Sequence, residues 1–250
     1  MNLPEILKIL SDIAVDTESN CFIVGGSPRD KVMNKPEQID DIDLTSGDEK
    51  IHYIAKEASI KLKDLNGSYK VLDDGHAQIT IGKFKLDFSS NFNIPNIKQI
   101  LNKAGLKGAT DMQCELYSRD FTCNTLLMTL DLKQILDPTG LALKDIKSKT
   151  LRTCLPAAIT LGYDNKRVVR ILYMAAKLNF TVDPEIIDWV KEHPESIANC
   201  SPNYLIKKLA KSIEYNKDIT VDLLNKMNLW KSIPPMKELQ SLMVKNPEKI

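Results

Sequence analysis

Apolar residues Leu3, Ile6, Leu7, Leu10 and Ile13 recur at the spacing of one helical face, with Pro4 tolerable in a first turn. Residues 21–24 (CFIV) then read as a short buried strand that stops at Gly25-Gly26, and residues 27–33 read as a helix. Around QIDDIDL the polarity alternates. On a strand Asp41 and Asp43 share one face while Ile42 and Leu44 point into the core, and Asp40 falls on the core side as a strand-end charge. Residues 78–88 predict a hairpin turning at Gly82-Lys83, with Phe84, Leu86 and Phe88 on one face and Lys85 and Asp87 on the other. Residues 126–136 suggest another strand pair, closed by Asp137-Pro138-Thr139-Gly140.

From about residue 156 only helical spacing remains. Val168, Ile171, Leu172, Ala175 and Leu178 mark one helix, and residues 184–190 start a second. Ser201-Pro202 opens a third carrying Leu205, Leu209 and Ile213, and two short helices are expected around 221–229 and 236–244. The pattern predicts an α+β architecture: a mixed β-sheet with helices over residues 1–155, then an all-helical domain over 156–250.

Composition narrows the class. With 250 residues, 43% hydrophobic and 27% charged, the chain has room for one large or two small domains. Its five cysteines form no CxxC pair, which argues against a disulfide framework or a zinc site and fits a reducing cytosol. No apolar run approaches membrane-spanning length and the start lacks a signal-peptide layout, so a cytoplasmic location without a membrane partner is expected. The net charge of +1 advertises no polyanion.

Four short stretches carry candidate chemistry. The Asp41/Asp43 pair places two like charges on one strand face, where they repel unless a cation lies between them. The alternative is a solvated acidic strand end. Asp87, on the polar side of its hairpin, is a candidate third carboxylate for an octahedral oxygen site, or else a surface partner for the Lys85 neighbourhood. Gly25-Gly26 would let a triphosphate approach bare amides at a helix start, with Arg29 adding a charged hydrogen bond. Ser27 and Asp30 read there as a capping box, and all of this could simply start a helix.

Arg119, Asp120 and Asn124 combine a guanidinium, a carboxylate and a carboxamide, a set that suits ribose hydroxyls and a phosphate or closes a turn. Asp164 and Arg167 read as neighbours three apart on one helical face, with Arg170 a turn further. One accepts hydrogen bonds and the other donates them, so they can match the Watson–Crick edge of cytosine or adenine, or form an ordinary surface ion pair.

The order of these elements resembles the class II nucleotidyltransferases, the family of the tRNA CCA-adding enzymes and bacterial poly(A) polymerases. The resemblance rests on Gly25-Gly26 with Arg29-Asp30, Asp41-Ile42-Asp43, Arg119-Asp120-Phe121-Thr122-Cys123-Asn124, Asp137-Pro138-Thr139-Gly140 with Asp145, and Asp164, Arg167 and Arg170. It implies a catalytic head and a helical neck. It further implies Mg²⁺ on Asp41 and Asp43 with Asp87 as third acidic residue, and the triphosphate on Gly25, Gly26 and Arg29. Arg119, Asp120 and Asn124 would hold the ribose, and Asp164 and Arg167 would read the base, supported by Arg170.

The implied reaction is template-independent addition of CCA, or part of it, to the 3′ end of tRNA from CTP and ATP. Poly(A) synthesis is the alternative within the class, and a non-catalytic nucleotide- or RNA-binding protein the alternative outside it. Tyr163 replaces the family's usual Glu before Asp164, leaving a phenol hydrogen bond or a stacking surface in place of a salt bridge to Arg167. The resemblance also leads one to expect further helical domains beyond this length; either the helices after residue 180 suffice, or a homo-oligomer, a partner protein or a smaller RNA takes their place.

Overall fold

The computed structural model describes residues 2–35, 40–72, 75–90 and 94–233. The chain divides into two compact units, Met1–Lys144 and Asp145–Ile250. The division falls earlier than the expected boundary at 155/156.

The first unit holds α1 (Leu3–Asp16), β1 (Phe22–Val24), α2 (Gly26–Val32), β2 (Asp41–Thr45), α3 (Lys50–Lys63), β3 (Ser68–Val71), β4 (Ala77–Ile81) and β5 (Phe84–Phe88). α4 (Ile97–Lys103), α5 (Asp111–Tyr117), a 3-10 turn (Thr122–Asn124), β6 (Leu127–Thr129) and β7 (Ile135–Leu136) follow. Among the described residues the seven strands form one sheet in the order β3-β4-β5-β2-β1-β6-β7. All its pairs are antiparallel except β2 with β5, so the sheet is mixed.

The two faces of the sheet differ, as alternation dictates. On one face Ile23, Ile42, Leu44, Ile79, Leu86 and Phe88 pack with Ile6, Leu7, Leu10 and Ile13 of α1 and Ile51, Ile54 and Leu62 of α3. Each fully buried side chain of this size contributes roughly 1.5–3 kcal/mol. The same alternation leaves Asp41, Asp43, Lys85 and Asp87 on the opposite face. The capping box of α1 forms between Asn2 and Glu5, with Pro4 in the first turn.

The chain passes into the second unit within α6 (Ala142–Ser148). There follow β8 (Thr150–Leu151), α7 (Ala157–Tyr163), α8 (Lys166–Leu178), β9 (Thr181–Val182), α9 (Pro184–Glu192), α10 (Glu195–Ala198) and α11 (Pro202–Lys226). Purely helical structure was expected after 156. Instead β9 pairs in parallel with β8, and Arg152 fastens this ladder by bridging the buried Asp145 at 3.2 Å and Asp183 at 3.0 Å.

The third and fourth expected helices are one element, α11, bent at Asn216, whose backbone leaves the helical region (φ −161°, ψ 100°). Asn216 Oδ1 accepts from Ile219 N at 3.1 Å, so its side chain caps the second half. The helix expected around 236–244 lies outside the described residues. No described helix is long and apolar enough to cross a membrane. All five cysteines are free and buried, and burial pushes the Cys21 thiol up to about 12.

Candidate active site

The site grows out of β2. Asp41 and Asp43 are exposed while Ile42 and Leu44 are fully buried, as the alternation requires. The parallel register sets Asp43 beside Asp87 and Asp41 beside Lys85, and the antiparallel β4 brings Gln78 beside Asp87. Across the other edge of β2, Val24 pairs with Asp43, so the chain turns at Gly25 directly over that carboxylate. Gly25 has φ +80°, and a Cβ there would stand 2.6 Å from Asp43 Oδ2. No other residue fits this approach.

Asp43, Gln78, Lys85, Asp87, Ser89 and Arg119 line an open cleft of about 310 Å³ with Leu72 and His76. Burial raises the Asp43 pKa; the Arg119 guanidinium pulls it down, Asp87 pushes it up, and Lys85 and Asp41 act in opposite directions. The carboxylate opens on the cleft, yet the loss of water to the protein packed around it is the leading cause of the upward direction. Lys85 is held more strongly protonated than usual: burial opposes this, but the hydrogen bond to Asp87 and the charges of Asp87, Asp41 and Asp43 outweigh it.

The three carboxylates do not converge as expected. Asp87 accepts from Gln78 Nε2 at 2.5 Å on one oxygen and from Lys85 Nζ at 2.6 Å on the other. No cluster of three or more His, Cys, Asp or Glu side chains that could hold a metal occurs among the described residues. The Asp41/Asp43 pair fits a cation, being accessible and like-charged on one strand face. Asp87 in this arrangement belongs to Lys85 and Gln78. Sequence alternation put all three on one face, and the alternative of a Lys85 partner for Asp87 is the one the structure forms, while Gln78 gave no sign of its part.

Arg119 owes its place to a residue that the sequence reading missed. Glu115, one turn back on α5, is fully buried and accepts from Arg119 Nη2 at 2.8 Å. Its other oxygen takes the Thr45 hydroxyl, two positions beyond Asp43 on β2. A buried carboxylate thus links β2 to the guanidinium across the cleft. The i,i+4 spacing of Glu115 and Arg119 was the only signal for it.

The other residues expected at a nucleotide form a buried chain. Arg29 Nη1 donates to Asn124 Oδ1 at 2.6 Å, and Asn124 Nδ2 donates to Asp120 Oδ1 at 3.0 Å. Phe121 N also donates to Asp120, at 2.8 Å. This chain ties α2 to the 3-10 turn, and all three side chains are buried.

The capping box expected at Ser27 does not form. The positive φ of Gly25 starts α2 at Gly26, two positions early, so Ser27 lies inside the helix and no side chain caps it. Asp30 instead accepts from Arg29 at 2.8 Å. Asp40, the expected strand-end charge, pairs with Lys83 at 2.9 Å.

In the second unit Asp164 and Arg167 are not neighbours on one helical face. Asp164 has extended backbone between α7 and α8 (φ −141°, ψ 105°), and its carboxylate accepts from Lys166 N at 3.0 Å. Arg167 is buried; its guanidinium lies 5.9 Å from the Tyr163 ring and donates to the Thr160 carbonyl at 3.3 Å. Tyr163 thus sets its ring near the guanidinium where an acidic partner was to be replaced. Arg170 lies one turn further along α8, half-buried.

Residues 21–152 match the family of the poly A polymerase head domain. Among relatives, the tRNA nucleotidyltransferase cca2 of Schizosaccharomyces pombe is 25% identical over 186 residues, covering 68% of this chain and 38% of that protein. The CC-adding tRNA nucleotidyltransferase of Geobacter sulfurreducens is 24% identical over 209 residues, covering 83% and 43%. The chain thus spans less than half the length of either.

Among solved structures, the Bacillus stearothermophilus CCA-adding enzyme in complex with CTP aligns with a TM-score of 0.72 at 17% identity, over 94% of this chain and 55% of that one. The Thermotoga maritima CCA-adding enzyme complexed with tRNA aligns at 0.69 and 19%, over 97% and 56%. These likenesses carry the mixed-sheet fold. With more than half of its length matched by the head-domain family, this chain belongs to the class II nucleotidyltransferases.

Proposed function

We propose that this protein adds nucleotides, without a template strand, to the 3′ end of RNA, and that it builds CCA or part of it on tRNA from CTP and ATP. The observation that carries the reading is the Asp41/Asp43 pair on the open face of β2, with Asp43 opposite Arg119 in one cleft. A divalent cation held by that pair, Mg²⁺ in this reading, would acidify the attacking 3′-hydroxyl and stabilise the pyrophosphate that leaves.

The chain's own residues have separable roles in this scheme. Arg119, held by Glu115, offers positive charge to the triphosphate across the cleft from Asp43. Gly25 and Gly26 leave the backbone bare beside it. The chain of Arg29, Asn124 and Asp120 fixes the turn that presents the ribose-binding edge. Asp164 and Arg167 select the base, with Arg167 steadied by Tyr163 and supported by Arg170.

Poly(A) synthesis is the second reading, favoured by the head-domain match itself. One experiment separates the two: incubation with Mg²⁺, each labelled nucleotide singly and in pairs, and tRNA lacking its terminus. Addition that stops after CCA, CC or A supports the tRNA reading, whereas a long A tract with no C defeats it. Asp41→Ala is expected to lose turnover, by at least a hundredfold, with an unchanged circular dichroism spectrum. Equal incorporation by the variant would rule out catalysis by this pair.

A further inference from the structure

α8 and α11 bring a second set of charges together, in which only Arg167 and Arg170 have been assigned a role above. Between residues 166–178 and 202–213 the two helices carry seven basic residues and no acidic one; Glu214 is the first carboxylate on α11. The spacing gathers them. Arg170, Tyr173 and Lys177 fall at i, i+3 and i+7 on α8, and Tyr204, Lys208, Lys211 and Tyr215 fall at i, i+4, i+7 and i+11 on α11.

The two stripes meet. The Lys208 ammonium lies 4.7 Å from the Tyr173 ring centroid and 5.8 Å from that of Tyr204, and the Tyr173 and Tyr215 rings stand edge to face at 5.6 Å. Tyr215 is 49% exposed, and Lys207 is exposed beside the stripe. Burial, followed by repulsion from Arg170, Lys211, Lys207 and Lys177, lowers the pKa of Lys208. Such a concentration of like charge is relieved by an anion with several negative groups in a row.

We propose that this two-helix stripe is a phosphodiester-binding surface for RNA, with Lys207, Lys208 and Lys211 set against successive phosphates and Tyr215 offering its ring to a base. Lysines set beside an exposed aromatic ring, here Tyr215, are the combination that grips a nucleic-acid strand without reading its sequence. An anionic membrane would use the lysines but leaves the ring-and-ammonium arrangement without a purpose. The inference deepens the function proposed above, since it assigns the surface that holds the strand being extended.

The test measures binding of labelled tRNA lacking its CCA end over a series of KCl concentrations. The full chain, Lys207→Gln/Lys208→Gln/Lys211→Gln and the milder Lys207→Gln/Lys211→Gln, which leaves the ring contacts of Lys208 in place, are compared. The triple variant is expected to bind at least tenfold more weakly at fixed salt. Its slope of log K against log [salt] should be shallower by about 2, the share of three phosphate contacts, with the double variant intermediate.

Both variants should keep the wild-type KM for CTP. Unchanged slopes in a chain that still extends tRNA would overturn the surface and leave the proposed function standing. Lysine-dependent RNA binding without incorporation would do the reverse. Absence of RNA binding by the wild-type chain, or binding only to phosphatidylserine vesicles, would overturn this surface directly.

Discussion

At the scale of single residues, charge balance decides most of the outcome. Asp43 has a raised pKa in the folded state, so folding takes up a proton over the interval between its unfolded and folded values. Stability linked to this group is therefore present at low pH and lost as pH rises through the folded pKa. Asp43→Asn removes that cost. It is expected to melt above the wild type at pH 7 in the absence of divalent ions, with the gap closing toward pH 4; a lower melting point at pH 7 would contradict the assigned direction. Glu115 matters through the contact it makes, because its carboxylate holds Arg119. Glu115→Gln leaves a largely buried guanidinium without its carboxylate and is expected to cost about 3 kcal/mol in urea unfolding. It should also raise the KM for nucleotide more than it lowers kcat.

At the scale of elements, the sequence was legible wherever period and burial agreed. The alternation of Ile42 and Leu44 with Asp41 and Asp43 named the faces of β2, and Gly82-Lys83 named the hairpin of β4 and β5. The register between β2 and β5 was not legible, because parallel partners lie far apart in the chain and a slip of two residues would bury the same faces. Nor was the start of α2, where a glycine at positive φ overrode the capping signal of Ser27. The bend in α11 had no proline or glycine to announce it; Asn216 makes it by capping the second half of the helix. The neighbouring Ser212 spans to the Leu172 carbonyl of α8 at 2.9 Å and contacts Thr220 at 2.7 Å. Asn216→Ala is expected to cost about 1 kcal/mol, read by thermal or urea unfolding. No loss would mean that packing against α8 alone sets the bend.

At the scale of the whole molecule, a cation bound to the native state alone should stabilise it by mass action. At a hundredfold excess over its Kd, Mg²⁺ is expected to add about 2.7 kcal/mol to unfolding free energy, with EDTA reversing the gain. Asp41→Ala should lose most of that response, while Asn216→Ala should keep it in full. A response of equal size in wild type and Asp41→Ala would place the ion somewhere other than on β2.

The sequence by itself determined which side chains could face each other, because strand and helix periods are local properties of the backbone. It also carried enough ordered motifs to reach the family. Only the tertiary structure decided what each charged group meets. Thr45 reaches Glu115 and Arg29 reaches Asn124 across long stretches of chain, and Gln78 reaches Asp87 through sheet register. Those pairings depend on how strands and helices pack, and packing is settled by the apolar core rather than by the polar residues it brings together.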